Sequence, residues 1–374
     1  HSLALRRNGS LWAWGHNYSG AMGTGSDRRL SPTAVRLSHV RAVASGPSCS
    51  LAVREDGTVW WWGCPYMPPA FTELQATPAR VEGLEGAVDG AAGTSFLLVR
   101  KQDGTVWAWG NNSQGQLGDG TLVNRETPAP VPGLTGVVAV SVGDNYSLAL
   151  KQDGSAWGWG NNTYGQLGDL TLTRRSTPVQ VQGLDGVVAV VAQGRISVAL
   201  RSDGTVWHWG STSALWNQGD KQPRPPAQVA GLTGVVAVAV RNGDLSAVRS
   251  DGTVWQWQLQ LPSQVSPPQQ VEGFTDAVGV ARSAGTLQVL RSDGTVWNTG
   301  HNLYGERGFP SIAATPPGPT QVPGLTQVTA LSSNGSRIHA LRADGTLVEW
   351  GIGLFGDGVA PLHLEPTRVE LPRR

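Results

Sequence analysis

Residues 101–120 read KQDGTVWAWGNNSQGQLGDG, and residues 151–170 read KQDGSAWGWGNNTYGQLGDL. Two nearly identical twenty-residue phrases fifty positions apart make the period of the chain the first question, ahead of any single motif. The turn of the phrase recurs as Asn8-Gly9, Asp56-Gly57, Asp103-Gly104, Asp153-Gly154, Asp203-Gly204, Asp251-Gly252, Asp293-Gly294 and Asp344-Gly345. From Gly to Gly the steps are 48, 47, 50, 50, 48, 42 and 51 residues. A small polar residue followed by Gly, between two alternating apolar runs, is a strong hairpin signal.

The runs on either side define four strands per unit. Strand B precedes the turn, as SLAL (147–150), SVAL (197–200) and SLAV (50–53). Strand C follows it, as TVWAW (105–109) and TVWHW (205–209). TPVQV (177–181), TPAPV (127–131) and PPAQV (225–229) form strand D, with Pro at a start or an edge where no ladder donor is needed. VVAVSVG (137–143) and VVAVAV (235–240) form strand A. No long stretch carries a 3.6-residue period, so almost no helix is expected. Four short antiparallel strands per unit of about 48 residues is the arithmetic of a propeller blade. Strands B, C and D occur eight times and strand A seven times. The chain therefore reads as eight blades, with the first strand A falling upstream of His1.

Composition agrees. The 374 residues include 50 Gly, 24 Pro and 16 Trp, the mixture expected of many turns and short half-buried strands. Net charge is +1, from 28 basic and 27 acidic residues, which lacks the basic excess that nucleic-acid binding draws on. No apolar run approaches the roughly 20 residues of a membrane helix. The chain starts at His1 without Met, so an upstream segment is expected to have been removed or never included.

The unit [H/Y]SLAL–DGTVWAWG–N–x3–GQLG resembles the repeat of the regulator of chromosome condensation family (RCC1-like), its bacterial members included. The resemblance runs through essentially the whole chain, strongest near 1–25, 93–120, 143–170 and 194–210 and weaker where GQLG is lost. It implies an all-β propeller of four-stranded antiparallel blades, a single domain over 1–374, acting as a protein-binding platform. The family default is seven blades; the hairpin count here is eight. Some members are nucleotide-exchange factors for small GTPases, and one bacterial branch inhibits β-lactamases. No long insertion is present that could wedge into a GTPase.

Fifteen of the sixteen Trp fall in strand C, as in Trp107/Trp109, Trp157/Trp159 and Trp207/Trp209. Residues i and i+2 share a face of a strand, so the pairs read as packing between blades. A two-residue hairpin at Asp56-Gly57 pairs residues summing to 113, setting Cys49 opposite Cys64; a Gly bulge shifts this by one and keeps them close. These are the only two cysteines. A cross-strand disulfide and two separate thiols are both open readings, the former pointing to an extracellular or periplasmic setting.

Chemical motifs are few. GIGLFG (351–356) matches G-x-G-x-x-G but opens no helix in a βαβ unit, so no cofactor is expected. The seven His make no metal-ligand pair, and no nucleophile elbow, P-loop or EF-hand loop occurs, so neither catalytic nor metal residues are assigned. Departures from the repeat are more telling. CPYMPPAFTEL follows Trp62-Gly63, and STSALWNQGD follows Trp209-Gly210. Loops on a rigid scaffold concentrate function, and aromatics there favour partner contact. Tyr66, Met67, Phe71 and Trp216, with Tyr164, Tyr304 and Phe309 of equivalent loops, are the candidate partner-binding residues. The expected function is a non-catalytic, monomeric scaffold that binds a protein partner. A secreted inhibitor or adhesin-like propeller, and an enzyme with its site in the central funnel, are the alternatives.

Overall fold

A computed structural model describes residues 2–5, 7–16, 28–64, 75–210, 223–241, 243–261, 264–283, 285–302, 307, 318–334, 337–344, 346–352 and 362–369. Among these residues there are eight sheets and no helix, and no helix is long and apolar enough to cross a membrane. Blade 4 shows the pattern: Val137–Val142, Tyr146–Lys151, Ala156–Gly160 and Arg175–Gln180 hydrogen-bond in that order as an antiparallel meander. Blades 2, 3, 5, 7 and 8 repeat it with four strands. Blade 1 has three described strands (Ser2–Leu5, Leu11–His16, Arg28–Ala34), and blade 6 carries a fifth short strand, Gln264–Val265. By packing, the chain divides into two compact units. One holds His1–Arg28 with Thr33–Val229, the other Arg29–Pro32 with Ala230–Arg374.

In blades 2 to 7 the hairpin between strands B and C has a three-residue loop, not a two-residue one. Arg54 N–H donates to Thr58 O, and Gly57 N–H to Arg54 O, both at 2.9 Å. Gly57 sits at φ +77°, the left-handed residue that follows a type I turn and closes a bulge. A Cβ there would lie 2.9 Å from the backbone N of Gly86, so Gly is required twice over. The register is accordingly Val53↔Val59, Ala52↔Trp60 and Cys49↔Gly63, one residue off the two-residue expectation. Cys64 thus lies one step beyond the pairing with Cys49. The two sulfurs are nonetheless bonded, across a Cα–Cα distance of 4.4 Å.

The Asp of each turn is a structural acceptor. Asp103 Oδ1 takes the Thr105 hydroxyl at 2.6 Å and its N–H at 2.9 Å, and Asp56, Asp153, Asp203, Asp251 and Asp293 do the same with the Thr or Ser two residues on. Those hydroxyl and then backbone donors hold each of these carboxyls below the usual Asp range. In blades 4 to 7 the same hydroxyl accepts the indole N–H of the first strand-C Trp, at 3.0 to 3.1 Å. The cation opening the phrase covers that indole: Lys151 lies 5.5 Å from the Trp157 ring centroid, and Arg291 5.0 Å from Trp297.

The two Trp of a pair therefore differ. In blades 2 to 6 the first is half-buried and the second (Trp62, Trp109, Trp159, Trp209, Trp257) is buried, the first four of these between their own blade and the preceding one. Trp159 shares a core with Leu98, Val106, Ala108 and Leu117 of blade 3, and Trp209 with Leu148, Ala156 and Leu167 of blade 4. Burying an indole removes on the order of 200 Å2 from water, so these residues dominate the packing between blades.

His208 stands where blades 3 and 4 have Ala108 and Gly158. Desolvation pushes its pKa down to about 4. The unfolded chain takes up this proton near the ordinary His value of 6.5, whereas the folded chain resists until about 4. The unfolded state binds more protons between those values, so stability falls as pH drops through that window and levels off below it. With its partial access to solvent allowed for, the expected loss is about 2 kcal/mol. Denaturant midpoints measured from pH 7 to pH 4 should show this slope, and His208→Ala should flatten it. An unchanged slope would place the pH dependence elsewhere.

Candidate partner-binding loops

The loop after strand C is the least regular part of the repeat and is described in full in blades 3 and 4. It is braced from inside. Asn112, fully buried, accepts the Leu117 N–H at 3.0 Å, and its amide donates to Asp119 Oδ1 and Thr121 O at 3.1 Å. Asn162 repeats these bonds with Leu167, Asp169 and Thr171. Gln116 Oε1 accepts the Gln114 N–H, and its Nε2 donates to Asn111 Oδ1 at 2.8 Å. Asp169 pairs with Arg175 at 2.6 Å, and Asp119 pairs with Arg125 in the same way. Burial alone raises both carboxyls, but the Arg hydrogen bond and the Thr donors outweigh it, so each titrates below the usual Asp range.

GQLG also locks one blade to the next. Gln116 O accepts the Trp159 indole N–H and the Ser147 hydroxyl, both at 2.9 Å, and Gln166 O accepts the equivalent Trp209 and Ser197 donors at 2.8 Å. Gly118, at φ +71°, abuts that indole: a Cβ would meet Trp159 Cδ1 and Nε1 at 2.8 Å. The buried Asn and the GQLG of the duplicated phrase thus have structural tasks.

What remains free to act is on the outer surface of the loops. Leu122, Val123 and Leu170 are 41%, 69% and 47% exposed. Leu170 takes a left-handed conformation (φ +62°) where blade 3 has Gly120, uncommon for a residue with a Cβ. Tyr164 is half-buried, and the Arg195 guanidinium from the turn between strands A and B of blade 5 stacks 4.4 Å from its ring centroid. Arg174 reaches the Ser113 carbonyl at 3.5 Å, joining the loops of blades 3 and 4.

Comparison with known proteins places this architecture. A family model described as RCC1-like domain matches residues 1–219. The chain belongs to the RCC1-like family. Its fold is the RCC1-like β-propeller of antiparallel blades, eight by sheet count among the described residues. Human WBSCR16 is similar in structure at 21% identity, with a TM-score of 0.65 over 98% of this chain and 95% of that one. Yeast RCC1 (Prp20), solved bound to Kap60, is similar at 19% identity, with a TM-score of 0.66 over 99% and 86%. Prp20p from Saccharomyces cerevisiae, whose structure was reported with its binding to Gsp1p and histones, gives 19% and 0.66 over 99% and 88%. At such identities the likeness carries the fold alone. No curated protein sequence matches the chain.

Of the residues singled out from sequence, Tyr164 lies on this RCC1-like loop surface. Tyr66, Met67, Phe71, Trp216, Tyr304 and Phe309 lie outside the described residues. Sequence reading missed Leu122, Val123, Leu170 and Arg195. The signal for Leu170 was available: it breaks a GDG that the neighbouring repeat keeps. Arg195 had none, because its partner Tyr164 belongs to another blade. In blade 7, Arg307 replaces the buried Leu of GQLG and is itself buried; its guanidinium donates to Asn298 Oδ1 at 2.9 Å and Thr320 Oγ1 at 2.9 Å. Desolvation pulls its pKa below the usual Arg value.

Proposed function

We propose that this RCC1-like propeller is a non-catalytic binding module that holds a protein partner on the loops following strand C. The observation that carries the reading is the exposure of Leu122, Val123 and Leu170 on loops braced from inside by the hydrogen bonds of buried Asn112 and Asn162. Apolar side chains held out on a rigid frame lose little entropy on binding, which favours a protein surface as ligand. Tyr164 under Arg195 adds an aromatic and a cation, the residue types that anchor interfaces. A non-catalytic role is supported by the acids: each described carboxyl with a displaced pKa is displaced downward and engaged in a turn or ion pair, whereas a general acid needs the opposite. The buried Cys49–Cys64 bond supports an oxidising compartment, where the inhibitor- or adhesin-like version of the same role belongs.

The test is affinity capture from the native source. A Val123→Asp/Leu170→Asp/Tyr164→Ala variant is expected to lose at least tenfold in partner retained. Val188→Asp, at the hairpin end of blade 5 where Val188 is exposed, is expected to retain it. Equal capture by both variants would sink the proposed surface.

A further inference from the structure

Arg241 and Arg282, at the ends of the first strands of blades 6 and 7, both neighbour Asp244 and have fewer hydrogen-bond partners than they need. Arg241 ends strand Val235–Arg241, Asp244 begins strand Asp244–Arg249, and the two residues pair across the turn. Arg282 ends strand Ala277–Arg282 of the next blade and reaches back toward that turn. Its Nη1 donates to Ser246 Oγ at 2.6 Å, and its Nη2 stands 3.8 Å from Asp244 Oδ2. The Arg282 side chain is only 10% exposed. Asp244 Oδ1 is already taken by Gln258 Nε2 at 2.7 Å.

The Nε atoms of Arg241 and Arg282 are both buried and have no hydrogen-bond partner. Buried donors in a native fold are almost always satisfied, and a pair of orphans on two cations marks a place that a ligand completes. Desolvation lowers the pKa of both arginines, and Asp244 is the charge that offsets it for each. Two guanidiniums against one carboxylate leave one positive charge. A single carboxylate neutralises the cluster, whereas a phosphate, at about −1.5 to −2, would overshoot it beside Asp244. Arginine Nε and Nη present the parallel donors that a carboxylate accepts two at a time.

We infer that Arg241 and Arg282 form a receptor for one carboxylate, supplied by an acidic side chain of the protein partner. The cluster lies at the turn between strands A and B of blade 6, beside Gln258 in the second half of strand C (Val254–Leu261), with which Asp244 pairs. The inference rests on the protein-binding reading for the source of the carboxylate, and on the two arginines alone for the site.

The test uses the full chain and follows arginine Nε–H resonances while adding sodium acetate, a blocked pentapeptide with a central Glu, its Gln counterpart, or inorganic phosphate, all at constant ionic strength. Acetate and the Glu peptide are expected to shift the Arg241 and Arg282 signals saturably, and the Gln peptide to leave them unmoved. Arg241→Gln is expected to weaken binding at least tenfold. It should leave the melting temperature unchanged or higher, because it removes a desolvated cation whose Nε has no hydrogen-bond partner. Absence of any saturable shift, phosphate binding as tight as acetate, or acetate binding unaltered by Arg241→Gln would each overturn the assignment. The Val123→Asp/Leu170→Asp/Tyr164→Ala variant should bind acetate normally, so the two readings can fail separately.

Discussion

Trp159→Ala is expected to lower the unfolding free energy by about 4 kcal/mol, while Trp157→Ala, two residues earlier on the same face, costs about half of that. The contrast follows from what each indole touches. Trp159 is fully buried in the core shared with blade 3, and its N–H meets the Gln116 carbonyl of that blade. Truncation removes the largest apolar surface at that junction, opens a cavity the neighbouring strands cannot close, and takes one of two donors from a buried carbonyl. Trp157 keeps one side toward solvent under Lys151, and its N–H bond to Ser155 is replaceable by water. Urea denaturation monitored by far-UV circular dichroism should separate the two midpoints. Equal losses would mean that the paired indoles are interchangeable and that the inter-blade hydrogen bond contributes nothing.

The second large effect is expected from Cys49 and Cys64. Closing a loop of about 15 residues restricts the unfolded chain by roughly 3 kcal/mol, so Cys49→Ala/Cys64→Ala should destabilise by about that amount. Both residues are buried, in a core with Leu51, Val59, Leu97 and Trp109, which shields the bond from reductant in the folded protein. Thiol titration in denaturant is expected to find no free thiol before reduction and two after it. Two thiols before reduction would remove the bond and, with it, the support for an oxidising compartment.

The repeated turn shows how far a local reading reaches. Asp-Gly followed by Thr reads as a hairpin because Asp accepts from the residue two positions on and Gly tolerates positive φ, and both properties belong to three adjacent residues. The choice between a two- and a three-residue loop does not, since it depends on the twist the strands adopt when packed. The register is offset by one residue for that reason, and Cys49 pairs with Gly63 instead of Cys64. The Trp pairs behaved similarly. Their shared face was readable from i, i+2 spacing; their unequal burial was not, because the preceding blade's GQLG loop reaches only the second of them.

Blade count, strand order and the scaffolding role of KQDGTVWAWGNNSQGQLGDG follow from the sequence by itself, because alternation, turn chemistry and period are properties of neighbouring residues. Tertiary structure alone decided which side chains of that scaffold are left over to meet a partner. Arg195 stacks on Tyr164, Arg282 turns toward Asp244, and Trp159 seals Gln116, each from a different blade than its partner. Such contacts link residues 31 to 43 positions apart, and no local pattern encodes a neighbour that only the stacking of sheets supplies.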